Sequence, residues 1–460
     1  MWIKLRIGLN SLEKFVSKRA LYILPLDILL FVALYYLLPF EHSQKLGLCL
    51  MVFIGILWIS EAIHVSLTAL FVPVLSVILG LDSTKVAFST FADPIIFLFF
   101  GGFALACALH IQGLDKFIAQ KMIILARGKM FLAICFLFLV TAVLSMWISN
   151  TATAAIMLPL GLGVLSNLKQ ETNRSTYTFV LLGIAYSASI GGFGTIVGSP
   201  PNALAASYLG LDFFEWMKLG IPLMIFMLPS CVFILYLSTK PKFDTSFEMD
   251  VTPIQWDKQK TITIAIFIAM ALAWIFSSKI SEALGGIKDI DSLIAIAGAI
   301  MIGMSGVASW SEIQKHTDWG VLWLFGGGLA LGRIIKDSGA SEVMATSLAG
   351  NFGDGSWLLI IVVLTIFVIV LTEFTSNTAS ASLLIPIFAS VSGALGMSEN
   401  ILTLVIGFAA SCAFMLPVAT PPNAIVYGTG YVKQSEMIKS GIWLGIFSVF
   451  VISFFAWCIW

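Results

Sequence analysis

The chain has 460 residues, of which 59% are hydrophobic and only 11% are charged. Soluble domains carry about 25% charged residues, so this composition excludes an ordinary soluble protein. The formal net charge is zero, and this balance carries no information about partners. The chain is predicted to be an all-α polytopic membrane protein without a sizeable soluble domain.

A basic segment opens the chain and is predicted to lie at the cytoplasmic interface over residues 1–19. Its basic residues are Lys4, Arg6, Lys14, Lys18 and Arg19. The apolar run that follows is long and lacks a small-residue cleavage site, so we interpret it as a retained first transmembrane helix and not as a removed signal peptide.

The first half of the chain contains apolar runs close to the roughly 20 residues that a helix needs to cross a bilayer. Spans are predicted near 20–40, 46–63, 65–81, 93–111 and 217–238, with a basic amphipathic segment near 113–129. The stretch 131–168 is too long for one span and has a polar triplet midway, so it predicts a re-entrant pair of half-length helices. A helix from 176 is predicted to break near Gly198 to Asn202.

The second half repeats this order after a polar cytoplasmic linker over residues 239–260. Its predicted parts are spans near 261–278, 290–306 and 319–333, an amphipathic segment to about 350, a hairpin at 357–394, a broken helix at 401–432 and a last span from 437. The whole chain then has about eleven transmembrane helices and two re-entrant hairpins.

The distribution of basic residues predicts the orientation. If the N-terminus is cytoplasmic, most of the 25 Lys and Arg residues fall on the cytoplasmic side, as the positive-inside rule requires. Treating either hairpin as a full crossing would break this sorting. The C-terminus is therefore expected to be extracytoplasmic.

Two pairs of polar, Pro-interrupted motifs mark an internal duplication. Ser149-Asn150-Thr151 is followed by Pro159, and Ser376-Asn377-Thr378 is followed at the same spacing by Pro386. Further on lie Ser199-Pro200-Pro201-Asn202 and Thr420-Pro421-Pro422-Asn423. Because an odd number of crossings separates the triplets, they predict two inverted-topology repeats, and such paired breaks are typical of a transporter binding site.

These motifs favour joint binding of a cation and an anion. A backbone that leaves helical geometry in the membrane must satisfy its polar groups with protein or ligands, and asparagine offers both an acceptor and two donors. The segments 131–168, 175–210 and 357–430 contain no Lys or Arg, so mobile cations would have to balance an anion there. Hydroxyl, amide and carbonyl oxygens suit Na⁺.

The paired triplets, the Pro breaks and the hairpin order resemble the divalent anion:sodium symporter family, in particular bacterial dicarboxylate transporters of the INDY type. The resemblance covers essentially the whole chain after the first helix. It implies a homodimer in the bacterial inner membrane, with Na⁺ as the coupling ion and a dicarboxylate as the substrate. It also implies an elevator-type alternating-access mechanism, in which a transport domain slides against a scaffold.

The resemblance implies specific site residues. One Na⁺ site falls on Ser145, Ser149, Asn150 and Gly198, and a second on Thr372, Thr375, Asn377 and Ala419. The carboxylate contacts fall on Asn150, Thr151, Ser199, Pro200, Ser376, Asn377, Thr378, Thr420 and Pro421.

The domain boundaries follow from the same order of elements. Scaffold helices and an amphipathic arm are expected over residues 20–130 and 261–350. The transport domain, with hairpin, broken helix and following span in each half, is expected over residues 131–238 and 351–460.

The function expected from the sequence is Na⁺-coupled, electrogenic uptake of C4-dicarboxylates such as succinate, fumarate or malate. Alternatives on the same architecture are a Na⁺-independent dicarboxylate exchanger and a carrier of citrate, sulfate or another oxyanion. An enzyme is not expected, because no catalytic dyad or metal cluster is visible, and neither is a channel.

Several other residues carry local predictions. Glu373, whose counterpart is Met146, is expected either to orient the second hairpin through hydrogen bonds or to be a partnered structural acid. Glu61 and His64 are expected to share a helix face and satisfy each other. The four histidines show no metal-ligand spacing. The clusters Gly101-Gly102 and Gly326-Gly327-Gly328 are interpreted as packing or bending positions and not as phosphate loops, and the six cysteines as packing residues.

Overall fold

A computed structural model describes residues 18–243, 256–344, 346, 357–392 and 399–460. These residues form α-helices joined by turns and contain no strand, which confirms the all-α prediction. Residues 1–17 of the predicted interfacial segment, the middle of the 239–260 linker and the end of the second amphipathic segment lie outside the described residues.

The helices of the first half follow the predicted order. They are α1 Lys18–Leu37, α2 His42–Ser60, α3 Val65–Ile78, α4 Thr84–Ser89, α5 Pro94–Ile111, α6 Leu114–Leu125, α7 Met130–Ser145, α8 Asn150–Leu165, α9 Gln170–Gly191, α10 Pro200–Leu209 and α11 Phe213–Thr239.

The second half continues with a similar series. Its helices are α12 Lys258–Ile275, α13 Ser277–Ala283, α14 Ile290–Met304, α15 Trp310–His316, α16 Trp319–Asp337, α17 Trp357–Thr372, α18 Asn377–Ser392, α19 Glu399–Ala409, α20 Pro421–Gly428 and α21 Gln434–Cys458.

Length and hydropathy identify the membrane-spanning character of these helices. Within the described residues, seven helices are long and apolar enough to cross a bilayer, and further apolar helices of 10–17 residues accompany them. The short apolar helices include α7, α8, α17 and α18, the two halves of each predicted hairpin. The protein is therefore a polytopic α-helical membrane protein; the number of about eleven spans stays a prediction.

The chain forms two compact units. Unit A contains residues 1–93, 319–355 and 378–402, and unit B contains residues 94–318, 356–377 and 403–460. In unit A, α3 packs against α2 and α16. An ion pair fixes α16 in this unit, because Arg333 Nη2 lies 2.8 Å from the buried Asp82 carboxylate and Arg333 Nη1 donates to the Val86 carbonyl oxygen.

Unit B is organised around α9. This helix is fully buried over its apolar length, and α7, α8, α11 and α20 all pack against it. Helix α21 packs on α11 and α17, α14 packs on α5, and the amphipathic α6 packs on α7. Nearly all of the residues that the sequence singled out as site candidates belong to this unit.

The predicted pairing of Glu61 with His64 is wrong. Helix α2 ends at Ser60, and Glu61 adopts left-handed backbone geometry with φ 48°. His64 instead caps the next helix, because its Nδ1 accepts a hydrogen bond from the Ser66 amide at 3.3 Å. The two residues flank a turn and therefore share no helix face.

The glycine clusters are confirmed as close-packing positions. A Cβ on Gly101 of α5 would lie 2.4 Å from the Ala295 carbonyl oxygen of α14, and a Cβ on Gly327 of α16 would lie 2.6 Å from the Ala69 carbonyl oxygen of α3. Each contact brings two helix backbones together, as small residues commonly do in membranes.

Gly101→Ala is expected to lower stability by about 1–3 kcal/mol, the usual cost of overpacking, because the added methyl meets backbone and cannot be relieved by a rotamer change. The apparent melting temperature in detergent measures the effect. Gly303→Ala in α14 is the matched control, since a Cβ there meets nothing within 4 Å. Equal melting temperatures for the two variants would contradict the packing role of Gly101.

Candidate functional site

The first hairpin has its tip between α7 and α8. Helix α7 ends at Ser145, α8 begins at Asn150, and the two helices pack together. Ser149 is the N-cap of α8, and its Oγ accepts a hydrogen bond from the Ala152 amide at 3.3 Å. The polar triplet thus starts the second half-helix, because a serine hydroxyl satisfies an amide that has no partner within the helix.

The first helix break follows α9. Two single 3₁₀ turns connect Gly191 to α10, and Ser199, the residue before two prolines, is extended with φ −151° and ψ 137°. Proline disfavours helical geometry in the residue before it, and it is well suited to the first position of a helix. The Ser-Pro-Pro-Asn motif therefore ends the unwound segment and starts α10.

Oxygen atoms from the tip and the break converge on Asn150. Its Oδ1 lies 2.6 Å from Ser145 Oγ, 3.0 Å from the Ala188 carbonyl oxygen and 3.2 Å from the Gly198 carbonyl oxygen. Only the hydroxyl among these can donate a hydrogen bond to Oδ1. If the amide turns by 180°, Nδ2 faces all three oxygens as possible acceptors for its two hydrogens. The turned orientation satisfies both ends of the amide, so these oxygens hold the Asn150 side chain between the tip and the break.

The second tip and break repeat this arrangement. Thr372 Oγ1, five residues before Asn377, lies 2.6 Å from Asn377 Oδ1, as Ser145 Oγ does from Asn150 Oδ1. Thr372 Oγ1 also lies 2.8 Å from the Ala410 carbonyl oxygen, one residue beyond the end of α19. In the second half, the Thr372 hydroxyl thus joins the amide of the hairpin tip to the unwound region.

The last residue of each Pro-Pro-Asn sequence holds the unwound segment in the same way. Asn202 Nδ2 donates to the carbonyl oxygens ten and seven residues earlier, Gly192 at 2.7 Å and Thr195 at 2.8 Å. Asn423 Nδ2 donates to the carbonyl oxygens at the same two offsets, at 3.2 and 3.0 Å. These residues were not among the predicted site residues, although their place at the end of both motifs was the available signal.

Asn202→Ala is expected to lower stability by about 1–3 kcal/mol, because it leaves two buried carbonyl groups without their donor. Asn173→Ala is the control: the Asn173 amide also donates to a carbonyl, that of Lys169, but near the exposed start of α9. The control is expected to stay within about 0.5 kcal/mol of the wild type. The apparent melting temperature measures both, and an Asn202→Ala value no lower than the control would contradict this role.

The two halves tie the tip to the break differently at one pair of equivalent positions. In the first half, the Met146 carbonyl oxygen accepts a hydrogen bond from Thr195 Oγ1, which ties the tip to the break. In the second half, the equivalent residue is Glu373, which is buried. Its carboxylate accepts hydrogen bonds from the amides of the three consecutive residues Phe414, Met415 and Leu416, at 2.7, 2.8 and 2.9 Å.

Glu373 therefore anchors the second tip to the loop between α19 and α20. These hydrogen bonds fit both roles considered for it, since the carboxylate connects the hairpin tip to the loop and is itself fully partnered. A carboxylate that accepts several backbone amides needs no basic partner to satisfy its oxygens. Glu373 could be identified as a candidate from the sequence because it is an acidic residue within an apolar segment.

Contacts also join the two motif pairs. Ser199 Oγ, at the first break, lies 3.0 Å from Ser411 Oγ, just after α19. Helix α20, which begins in the second Pro-Pro motif, packs on α8 and α9 of the first half. Unit B contains the first tip, both breaks and Asn377. Thr378, the next residue, belongs to unit A.

The remaining predicted residues are placed as follows. Thr375 Oγ1 bonds the Leu371 carbonyl oxygen within its own helical turn, and Thr420 Oγ1 accepts the Asn423 amide. Thr151 and Pro421 are exposed, Pro200 and Ser376 are half-buried, and Ser199, Thr378 and Ala419 are buried. Direct hydrogen bonds thus connect Ser145 with Asn150 and Thr372 with Asn377.

The electrostatics favour an anion beside cations. Four helices begin at the motifs, α8, α10, α18 and α20, and a helix N-terminus carries partial positive charge and free amides. The segments 131–168, 175–210 and 357–430 contain no Lys or Arg. Helix ends and bound cations are therefore the sources of positive charge that these segments can offer.

Comparison with known proteins agrees with this architecture. The sequence profile of the citrate transporter family CitMHS matches residues 55–405 and 291–460. An uncharacterized transporter of Haemophilus influenzae is 56% identical over 95% of this chain and 96% of the relative. The protein named sodium-dependent dicarboxylate transporter SdcS of Staphylococcus saprophyticus is 32% identical over 92% of this chain and 88% of the relative.

A solved structure supports the fold. The YdaH transporter of Alcanivorax borkumensis has a TM-score of 0.56 at 13% identity, with 90% of this chain and 98% of that chain covered. The protein is thus an integral membrane protein of transporter class. It belongs to the CitMHS citrate transporter family and is a transporter of the divalent anion:sodium symporter type.

Proposed function

We propose that this protein is a secondary active transporter that couples the uptake of a C4-dicarboxylate such as succinate, fumarate or malate to Na⁺. The oxygen cluster at Asn150 is the observation that carries the proposal. Relatives named as sodium-dependent dicarboxylate transporters, at about 32% identity, support the choice of ion and substrate. The relatives bear transporter names, and we propose no catalytic activity.

The first Na⁺ would bind among Ser145, Ser149, Asn150 and Gly198. Hydroxyl, amide and carbonyl oxygens are hard ligands without charge, and they suit a hard monovalent cation. When Na⁺ is bound, Asn150 presents Oδ1 to the ion; when Na⁺ is absent, the turned amide donates from Nδ2 to the same oxygens. The site therefore stays satisfied in both states, which allows the ion to enter and leave.

The second Na⁺ would bind at Thr372, Thr375, Asn377 and Ala419. In the present geometry Thr372 and Asn377 bond each other and Thr375 bonds its own helix. Binding would require the Thr372 and Thr375 hydroxyls to turn their lone pairs toward the ion.

The dicarboxylate would lie between the two tips. Its carboxylates would contact Asn150 and Thr151 on one side and Ser376, Asn377 and Thr378 on the other, with further contacts from Ser199, Pro200, Thr420 and Pro421. The amides at the helix starts and the adjacent Na⁺ ions would balance its charge. This arrangement couples the ligands, because neither the ions nor the anion binds well without the other.

We further propose the transport cycle that the resemblance implies. A transport domain over residues 131–238 and 351–460 would move as an elevator against a homodimeric scaffold. The arms would be α6 and the second amphipathic segment over residues 334–350. The N-terminus would be cytoplasmic and the C-terminus extracytoplasmic. Packing of α6 on both α7 and α8 supports a direct link between the first arm and the first hairpin.

Citrate is the second candidate substrate, because the matching family profile bears the name citrate transporter. Citrate carries one carboxylate more than succinate and a hydroxyl. Competition between citrate and labelled succinate tests this candidate. If citrate displaces labelled succinate and is itself accumulated, citrate is a substrate.

Thermal unfolding of the purified protein in Na⁺ or K⁺ buffer, with and without succinate, tests the coupling. A ligand that binds only the folded state raises the melting temperature. Na⁺ alone is expected to raise it, and succinate is expected to raise it further in Na⁺ but not in K⁺. Stabilisation by succinate of equal size in K⁺ would contradict Na⁺ coupling and favour the exchanger.

A further inference from the structure

We propose that His110 and His316 form a binding site for a divalent transition-metal ion of the Zn²⁺ class, on the surface of unit B and outside the transport site. The two residues are 206 positions apart in the sequence, so the sequence spacing gave no indication of a metal site. The fold brings their rings together, with the centroids 5.9 Å apart and the planes at 52°. Both side chains are exposed.

The hydrogen bonds of the two rings fix which nitrogen is free. His110 Nδ1 lies 2.9 Å from Asp115 Oδ2, and His316 Nδ1 lies 2.8 Å from the Glu312 carbonyl oxygen. Both partners are acceptors, so each Nδ1 carries the proton and donates it. Nε2 is then the unprotonated nitrogen of each ring, with its lone pair available to a metal.

This is the arrangement that protein metal sites use. A ligating histidine almost always donates its other ring N–H to a carboxylate or a backbone carbonyl, which orients the ring and raises its basicity. His110 has the carboxylate and His316 has the carbonyl. Asp115 is itself fixed, because it is fully buried and its Oδ1 accepts the Lys116 amide.

The ring separation fits a shared ion. With metal–nitrogen bonds of about 2.0–2.1 Å, two imidazoles on one ion place their centroids about 5–6 Å apart, depending on the bond angle. The observed 5.9 Å lies near the upper end of this range, which corresponds to a nitrogen–metal–nitrogen angle wider than tetrahedral. Imidazole is a good ligand for Zn²⁺, Cu²⁺ and Ni²⁺, and water would complete the coordination.

The elements that present the two histidines are held rigidly. His110 lies at the end of α5 and His316 is the last residue of α15, and these helices pack together. The Phe100 and Trp310 rings of the same helices pack in a tilted arrangement with centroids 6.0 Å apart, and Gln112 Nε2 donates to the Val307 carbonyl oxygen at 2.8 Å. Little reorganisation is therefore needed to bind an ion, which favours affinity.

The Glu312 carboxylate adds negative charge beside the site. It lies one helical turn before His316, and its Oε2 is held at 2.7 Å by both the amide and the hydroxyl of Ser309. A bound ion would connect the end of α15 to the end of α5, and the hydrogen bond from His110 to Asp115 would extend this link to the first turn of α6. It would thereby hold the start of α6, the helix that packs on the first hairpin.

Cu²⁺ is the spectroscopic probe for this site. The full-length protein, freed of any polyhistidine tag, is titrated with Cu²⁺ and measured by electron paramagnetic resonance, with electron spin echo modulation to count the bound imidazoles. We expect one Cu²⁺ per chain coordinated by two histidines. An excess of Zn²⁺ is expected to remove this signal.

Four histidines in the chain supply the matched controls. His110→Ala and His316→Ala are each expected to leave a single imidazole in the spectrum and to weaken binding roughly tenfold or more, the scale on which even outer partners of metal ligands act. His42→Ala and His64→Ala should leave the signal unchanged. A wild-type spectrum with one imidazole, or a two-imidazole signal that survives either substitution, would overturn the proposal.

Discussion

Asn150→Ala and Asn377→Ala are each expected to weaken both the Na⁺ dependence and the dicarboxylate affinity of the transporter. Asn150 contributes an amide group to the proposed Na⁺ site and another contact to the proposed carboxylate site, and Asn377 does the same in the second half. A hydrogen bond to a charged group is worth about 1.5–3 kcal/mol. Each variant should therefore lose roughly ten- to hundredfold in apparent affinity for both ligands.

Labelled-succinate binding measured over a range of Na⁺ concentrations provides both parameters for each variant. Asn167→Ala is the matched control, because Asn167 lies exposed just beyond the far end of α8. If either tip variant keeps the wild-type affinity for both ligands, the dual role of its asparagine is wrong. If only one parameter changes, that asparagine serves one ligand alone.

Glu373→Ala is expected to be the most destabilising single substitution at the second tip. The carboxylate satisfies three consecutive backbone amides, and a buried donor without a partner costs about 1–3 kcal/mol. Loss of all three bonds should therefore cost at least about 3 kcal/mol. The loop between α19 and α20 would lose its anchor at the same time, so succinate binding should fall with stability.

The variant Glu373→Gln tests how much of the stabilisation by Glu373 depends on its negative charge. Its amide keeps one acceptor oxygen, so it should retain part of the stability that the alanine variant loses. Glu282→Ala, at an exposed position in α13, is the control for removing a glutamate. Apparent melting temperatures of the three proteins should rank as control, glutamine variant and alanine variant. An alanine variant as stable as the control would show that the anchor is unimportant.

Much of the fold could be predicted because its signals are local. The triplets and the Pro-Pro motifs determine where half-helices begin, since serine caps a helix and proline excludes helical geometry in the preceding residue. Accordingly α8 begins at Asn150 and α10 at Pro200, where the sequence placed the tip and the break. Residues 131–168 were correctly interpreted as two half-length helices.

The contacts that hold the site could not be predicted in the same way. Asn202 and Asn423 bond carbonyl groups that are free only because the segment before them is unwound, and their targets depend on the path of that segment. Met146 and Glu373 occupy equivalent positions but use different chemistry to tie tip to break. Repetition in the sequence predicts a shared architecture, whereas such side-chain partners depend on the folded backbone.

The pairing of Glu61 with His64 failed for a related reason. Their spacing of three fits a helix, but the helix ends at Ser60 and Glu61 turns into left-handed geometry. Conversely, the contact between His110 and His316 was not predicted. The two residues are far apart in the sequence, and they meet because α5 packs on α15. Spacing rules apply within one element and give no information across a turn or between distant helices.

Electrogenic, Na⁺-dependent uptake is the central claim, and proteoliposomes test it most directly. Labelled succinate uptake is measured with an inward Na⁺ gradient or with K⁺, with and without an imposed negative-inside potential. Each net positive charge that enters gains about 2.3 kcal/mol per 100 mV, so uptake should require Na⁺ and should increase with the potential. Uptake that proceeds without Na⁺ and only into vesicles preloaded with dicarboxylate would contradict symport and establish an exchanger.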